Sequence, residues 1–149
     1  MVSSDLLLLN GPNLNLLGIR EPHIYGNTSL KELEEELIQF AESRGCALHT
    51  FQSNHEGDLV ERIHRSKDVK GIILNPGAFM SYSYSLRDAI SSVSTPVVEV
   101  HISNIYSRES WRHKSVISDV VIGQISGFGK YSYMLGIEAI IYHTHSGAV

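Results

Sequence analysis

The stretch Leu6-Leu7-Leu8-Leu9-Asn10-Gly11-Pro12-Asn13 decides the architecture of this chain. Four leucines in succession do not alternate with polar residues, so a strand made from them is apolar on both faces and needs cover on both. Asn-Gly-Pro-Asn then ends it with turn chemistry. The same unit recurs downstream. Residues 48–51 run into Gln52-Ser53-Asn54-His55, residues 71–74 into Asn75-Pro76-Gly77-Ala78, and residues 97–100 into His101-Ile102-Ser103-Asn104. A weaker apolar run at residues 120–125 supplies a fifth strand.

Helical patterns fill the gaps. Leu30, Leu33, Leu37, Phe40 and Ala41 form one stripe, opened by a Ser29/Glu32 capping box and stopped by Gly45. A second box, Ser53 and Glu56, precedes Leu59, Val60 and Ile63. Leu86, Ala89, Ile90 and Val93 form a third stripe that stops before Thr95-Pro96, and a last helix is expected over residues 130–142, with His143-Thr144-His145 in a frayed tail. Strands alternating with helices require crossovers and a parallel sheet. The expectation is one domain over residues 1–149, an α/β three-layer fold with a five-stranded parallel sheet. At this length the flavodoxin-like strand order is favoured. Ligands of such sheets bind beyond the carboxyl ends of the strands, where the Asn- and Gly-rich segments collect.

Bulk properties narrow the chemistry. With 149 residues, 42% apolar and 19% charged, the chain reads as an ordinary globular protein. A net charge of −4 without a basic run argues against nucleic acid as the main partner. Cys46 is the only cysteine, which excludes an internal disulfide or a cysteine metal cluster and suits a reducing compartment. It reads as a small core residue. There is no positive segment ahead of the 6–9 run, and that run is too short for a signal or membrane span, so the expected location is the cytoplasm.

Cofactor motifs are missing. There is no G-x-G-x-x-G and no G-K-[ST]. Gly123-Gln124-Ile125-Ser126-Gly127 carries its serine one place too late for a nucleophile elbow. The eight histidines show no H-E-x-x-H spacing, so no metal and no cofactor are expected. Acid–base chemistry remains. Gly18 to Gly26 reads as a long loop after the first strand, and such loops are uncommon in compact domains unless they cover a site. Within it, Arg20 and Tyr25 can act together. A free tyrosine is only about 0.1% ionised at neutral pH, and a neighbouring guanidinium favours the phenolate. His101 ends a strand at the ligand edge, where a histidine can serve as general acid. Arg108 and Arg112, four apart, would share a face of a helix, and their forks suit a carboxylate. Taken singly, each of these residues also has an ordinary surface or half-buried explanation.

Taken together, the segments resemble the type II 3-dehydroquinate dehydratases, or dehydroquinases, over nearly the whole chain. The blocks that carry the resemblance are Leu9-Asn10-Gly11-Pro12-Asn13-Leu14-Asn15-Leu16-Leu17-Gly18 with Arg20-Glu21-Pro22 and Tyr25-Gly26, then Gln52-Ser53-Asn54-His55-Glu56-Gly57, Leu74-Asn75-Pro76-Gly77-Ala78, Leu86-Arg87-Asp88-Ala89 and Val98-Glu99-Val100-His101-Ile102-Ser103-Asn104. The resemblance implies a cofactor-free enzyme that eliminates water in the anti sense from 3-dehydroquinate, on the shikimate route. It implies assembly as a homododecamer, a tetramer of trimers. Tyr25 matches the base, Arg20 the group that holds it ionised, and Asn13 the holder of a water near the enolate oxygen. His101 matches the acid, with Asn75 positioning acid and substrate. Asp88, Ile102, Ser103 and Arg112 match substrate contacts, and Arg108 a second arginine beside the tyrosine.

One residue departs from the pattern. Ser81 stands where the family usually has a histidine. Its hydroxyl can donate one hydrogen bond but carries no charge, and one lost substrate bond costs about 0.5–1.5 kcal/mol. Two other readings stay open at this point: a phosphate- or nucleotide-binding module without catalysis, and an inactive homologue kept as a scaffold.

Overall fold

The computed structural model describes residues 3–146; residues 1–2 and 147–149 of the expected 1–149 domain lie outside it. Five parallel strands, β1 (Leu6–Asn10), β2 (Leu48–Gln52), β3 (Gly71–Asn75), β4 (Val97–His101) and β5 (Gly123–Ser126), form one sheet in the order β2-β1-β3-β4-β5. This is the flavodoxin-like order. Asn10 pairs in register with both Gln52 and Asn75, so the polar strand ends lie side by side at one edge.

The leucine run works as its pattern requires. Leu6 and Leu8 pack on one face with Leu33, Leu37, Tyr133, Ile137 and Ile140, while Leu7 and Leu9 pack on the other with Leu59, Ile63, Leu86 and Ile90. The first layer is α2 (Leu30–Ser43) and α5 (Tyr131–Ser146), the second α3 (Glu56–His64) and α4 (Tyr84–Ser91). Ser29 caps α2 by accepting the Glu32 N–H at 3.1 Å, and Gly45 follows its end at φ 81°. Cys46 is buried in the first layer, as a small core residue should be.

Several expectations shift. Ser53 does not cap α3: it accepts the His55 N–H at 2.9 Å and donates to Asp58 at 2.7 Å, and the helix begins at Glu56. The Glu56 carboxylate instead accepts hydrogen bonds from the hydroxyls of Ser83 and Ser85, tying α3 to α4. The 18–26 segment is not all loop, because Pro22–Tyr25 makes one helical turn, α1. The strand expected over 120–125 is the shorter and later β5, half exposed at the sheet edge, while Val120 and Val121 pack beneath it. Nor is the tail frayed at Tyr142: α5 carries His143 and His145 to Ser146.

The ends of β1 and β3 approach so closely that residue 11 has no room for a side chain. A Cβ at Gly11 would sit 2.5 Å from the Pro76 carbonyl oxygen, and the Gly11 N–H donates to the Asn75 carbonyl at 2.8 Å. No helix among the described residues is long and apolar enough to cross a membrane.

Candidate active site

A small polar cleft, partly open to solvent, lies over the carboxyl ends of β1, β3 and β4. Asn13 reaches it from the turn after β1, in the left-handed region at φ 69°, which asparagine tolerates better than most residues. That turn is braced from β2: Asn54 Oδ1 accepts the Asn13 N–H at 2.9 Å and Gln52 Nε2 at 3.1 Å, while Gln52 also donates to the Gly11 carbonyl. The Gln52-Ser53-Asn54 block therefore supports the cleft without lining it. Asn75, Gly77, Ala78 and Met80 line it from β3, and His101, Ile102 and Ser103 from β4.

Arg20 and Tyr25 hang over the cleft from α1 and the residues before it, and Arg108 faces them from the segment after β4. The direct partner of the tyrosine is Arg108, not Arg20. Arg108 Nη1 donates to Tyr25 Oη at 2.6 Å and to Ser103 Oγ at 3.2 Å. Arg20 has its guanidinium carbon 5.1 Å from the Tyr25 ring centroid, with that of Arg108 at 5.2 Å. Glu21 lies between the two cations, 3.4 Å from Arg20 and 3.9 Å from Arg108.

Arg108 and Arg112 do not share one helix, since a break at Arg108 separates two short 3₁₀ turns at Ile105–Ser107 and Ser110–Arg112. Both still line the cleft. Arg112 pairs with Glu109 at 3.4 Å. Hydrogen bonding to its own backbone, then the charges of Arg112 and Arg108, hold the Glu109 carboxyl below the usual carboxylate range. Three arginines around one cleft in a chain of net charge −4 make a local anion site, which suits a small carboxylate.

His101 is 5% exposed, and its Nε2 is 2.6 Å from a carboxylate oxygen of the fully buried Glu99. The other Glu99 oxygen accepts the Ser115 hydroxyl at 2.9 Å. A carboxylate opposite Nε2 places a proton there and fixes the ring orientation. Sequence reasoning passed over Glu99 as a site residue, although its signal is legible: a charged residue inside an apolar strand, two positions before His101 and on the same face.

Two expected site residues lie elsewhere in the protomer. Ser81 ends the 3₁₀ turn Gly77–Ser81, and its hydroxyl donates to the Ala78 carbonyl at 2.9 Å rather than lining the cleft. Its hydroxyl closes its own turn, a bond that a histidine ring could not reproduce. Asp88 is exposed on α4, which packs against α3, and it too is absent from the cleft wall. The described residues contain no cluster of three or more His, Cys, Asp or Glu side chains suited to a metal.

Comparison with known proteins adds independent findings. Residues 4–141 match the family model described as dehydroquinase class II. Proteins named 3-dehydroquinate dehydratase from Bacillus cereus (strain AH187) and Bacillus anthracis (strain A0248) are each 57% identical over 137 residues, covering 91% of this chain and 94% of theirs. The type II dehydroquinase structure from Butyrivibrio crossotus DSM 2876 superposes with a TM-score of 0.90 at 43% identity, covering 91% of this chain and 96% of that one. The one from Propionibacterium acnes gives 0.89 at 38% identity, covering 93% and 97%.

Proposed function

The chain belongs to the class II dehydroquinase family, and from that premise we propose how its own residues divide the reaction. It is a hydro-lyase that removes water from 3-dehydroquinate to give 3-dehydroshikimate, a step of the shikimate route to aromatic amino acids. Eliminating water beside a ketone needs a base for the carbon-bound proton, stabilisation of the enolate-like oxygen, and an acid for the departing hydroxyl.

Tyr25 is the base. Its oxygen accepts a charge-assisted hydrogen bond from Arg108, which holds it at the cleft. Arg20, over the ring face, adds a second positive charge. Asn13 holds a water where the enolate oxygen develops. His101 gives its proton to the leaving hydroxyl, and the buried Glu99 carboxylate holds the ring in place for that transfer. Arg112 takes the substrate carboxylate, the Ile102 backbone and Ser103 bind hydroxyls, and Asn75 orients substrate and acid.

The observation that carries this reading is the 2.6 Å contact from Arg108 to the Tyr25 oxygen in a cleft that also holds His101. Incubation with 3-dehydroquinate should raise the ultraviolet absorbance of a conjugated enone. Borohydride added during turnover should leave no substrate reduced onto a lysine. A lysine adduct, or no absorbance rise at high enzyme concentration, would overturn the assignment.

The remaining parts of the proposal concern assembly and location. The homododecamer implied by the family resemblance gives Asp88 a role: exposed on α4 and outside the cleft of its own protomer, it can contact substrate only from a neighbouring copy. Ser81 is also kept as a substrate contact, reaching the ligand once its turn-closing bond opens. The cytoplasm is the proposed location.

A further inference from the structure

Behind the cleft lies a hydrogen-bond chain that the roles above leave unused. Asn10 ends β1 and Asn75 ends β3, and between them Tyr133, in the first turn of α5, reaches into the sheet. Asn10 and Tyr133 are fully buried and Asn75 is 3% exposed. Asn75 Nδ2 donates to Tyr133 Oη at 2.8 Å, and Tyr133 Oη donates to Asn10 Oδ1 at 2.6 Å. Asn75 Oδ1 accepts the Gly77 N–H at 3.1 Å. Asn10 Nδ2, at the far end, is buried with no partner.

The polarity of this chain is determined from one end. A backbone N–H can only donate, so the Gly77 amide requires the oxygen of Asn75 on its side. The Asn75 nitrogen must then face Tyr133, whose oxygen accepts it and whose single proton goes on to Asn10. Were Asn75 reversed, its nitrogen would oppose the Gly77 N–H and its oxygen would need a hydroxyl proton already committed to Asn10. Burial pushes the Tyr133 phenol well above its ordinary range, so it remains a neutral donor throughout the working pH of the protein. One Asn75 N–H and one lone pair of its oxygen stay uncommitted, and Asn75 lines the cleft.

We propose that Tyr133 is a positioning residue for the dehydration: through the buried Asn10–Tyr133–Asn75 chain it holds the Asn75 amide in the orientation that the Gly77 N–H selects, so that a fixed end meets the substrate. Tyr133 touches no substrate and acts only through Asn75, so the proposal rests on the reading of Asn75 as a substrate-orienting group. The unpartnered Asn10 nitrogen is consistent with this order, because reversing Asn10 would satisfy it only by setting two donors against each other or by turning the whole chain around.

The test is a double-mutant cycle with 3-dehydroquinate, using Tyr133→Phe, Asn75→Ala and the pair. Tyr133→Phe should lower kcat by about tenfold with little change in KM, equivalent to losing one oriented hydrogen bond in the transition state. In the Asn75→Ala background the same change should have almost no further effect, whereas a merely structural tyrosine would cost the same factor in both backgrounds. Additive losses, or an unchanged kcat in Tyr133→Phe, overturn the proposal and leave the reading of Asn75 standing. An Asn75→Ala enzyme that turns over as fast as the parent overturns both. Should Tyr133→Phe fail to fold by circular dichroism, Asn10→Ala replaces it in the same cycle, with an expected loss of about threefold, equally silent without Asn75.

Discussion

The two walls of the cleft are built on opposite terms. On one side Tyr25 sits half-buried on a single helical turn, held by Arg108 and flanked by Arg20, a side chain 35% exposed. On the other, His101 and Asn75 end two fully buried strands, and each is backed by buried polar partners, Glu99 with Ser115 and Tyr133 with Asn10. The difference follows from the task. The base rides on a single turn without a fully buried residue and is held by cleft-lining arginines, whereas the acid and the orienting amide are pre-set by buried groups that cannot shift without exposing unpaired polar atoms. Partly exposed and buried support are thus segregated to opposite sides of one reaction centre.

The sharpest way to break this contrast is Tyr25→Phe. It removes one oxygen from the partly exposed wall and no buried hydrogen-bond partner from the core, so kcat should fall on the order of 10³-fold while the melting temperature holds. A loss below tenfold in steady-state turnover would move the base elsewhere and dissolve the division. Tyr82 is a poor substitute, since it is 55% exposed, packs edge-on to Phe79 and does not line the cleft. Glu99→Gln probes the rigid wall. Replacing the carboxylate with an amide of equal size should lower kcat about 10²-fold and also destabilise the fold, because His101 and Ser115 both lose a charged acceptor. Unaltered thermal stability in that variant would mean that the buried pair is not preorganised. Ser81→His sharpens the comparison at its mildest point. A histidine at this position can make the substrate hydrogen bond proposed for the serine, so turnover should stay within about threefold of the parent or rise. A large loss in kcat/KM would show that the cleft depends on the serine turn.

The sheet and the location of the site were legible in the sequence, and for stated physical reasons. Unbroken apolar runs such as Leu6 to Leu9 have only one stable use in a small domain, and polar residues directly after them must gather at one edge. The α2 cap was equally plain, because Ser29 and Glu32 answer to local geometry alone. What escaped depended on longer reach. As an edge strand, β5 is covered on one side only and its Gly123-Gln124-Ile125-Ser126 sequence has no apolar run to mark it. A single turn such as α1 is too short to show periodicity. Ser53 and Glu56 had the spacing of a cap, but stronger partners at Asp58, Ser83 and Ser85 took them. Tyr133 lies in a helix with apolar residues around much of its surface, where a tyrosine looks like filler. Only the tertiary packing brings its hydroxyl, 123 positions distant in sequence, against Asn10. With 83 positions between them, no local pattern links Arg108 to Tyr25; the family resemblance alone set it beside the tyrosine, as a second arginine and not as the direct partner.

The spacing between the β1 and β3 turns is dictated by an absent methyl group. With a Cβ at position 11, the Pro76 carbonyl would have to retreat, and Asn13, two residues after Gly11, and Asn75, one before Pro76, would separate with it. A catalytic gauge is therefore written into the smallest residue of the chain, and even alanine there would retune the reaction centre while leaving every reactive group in place.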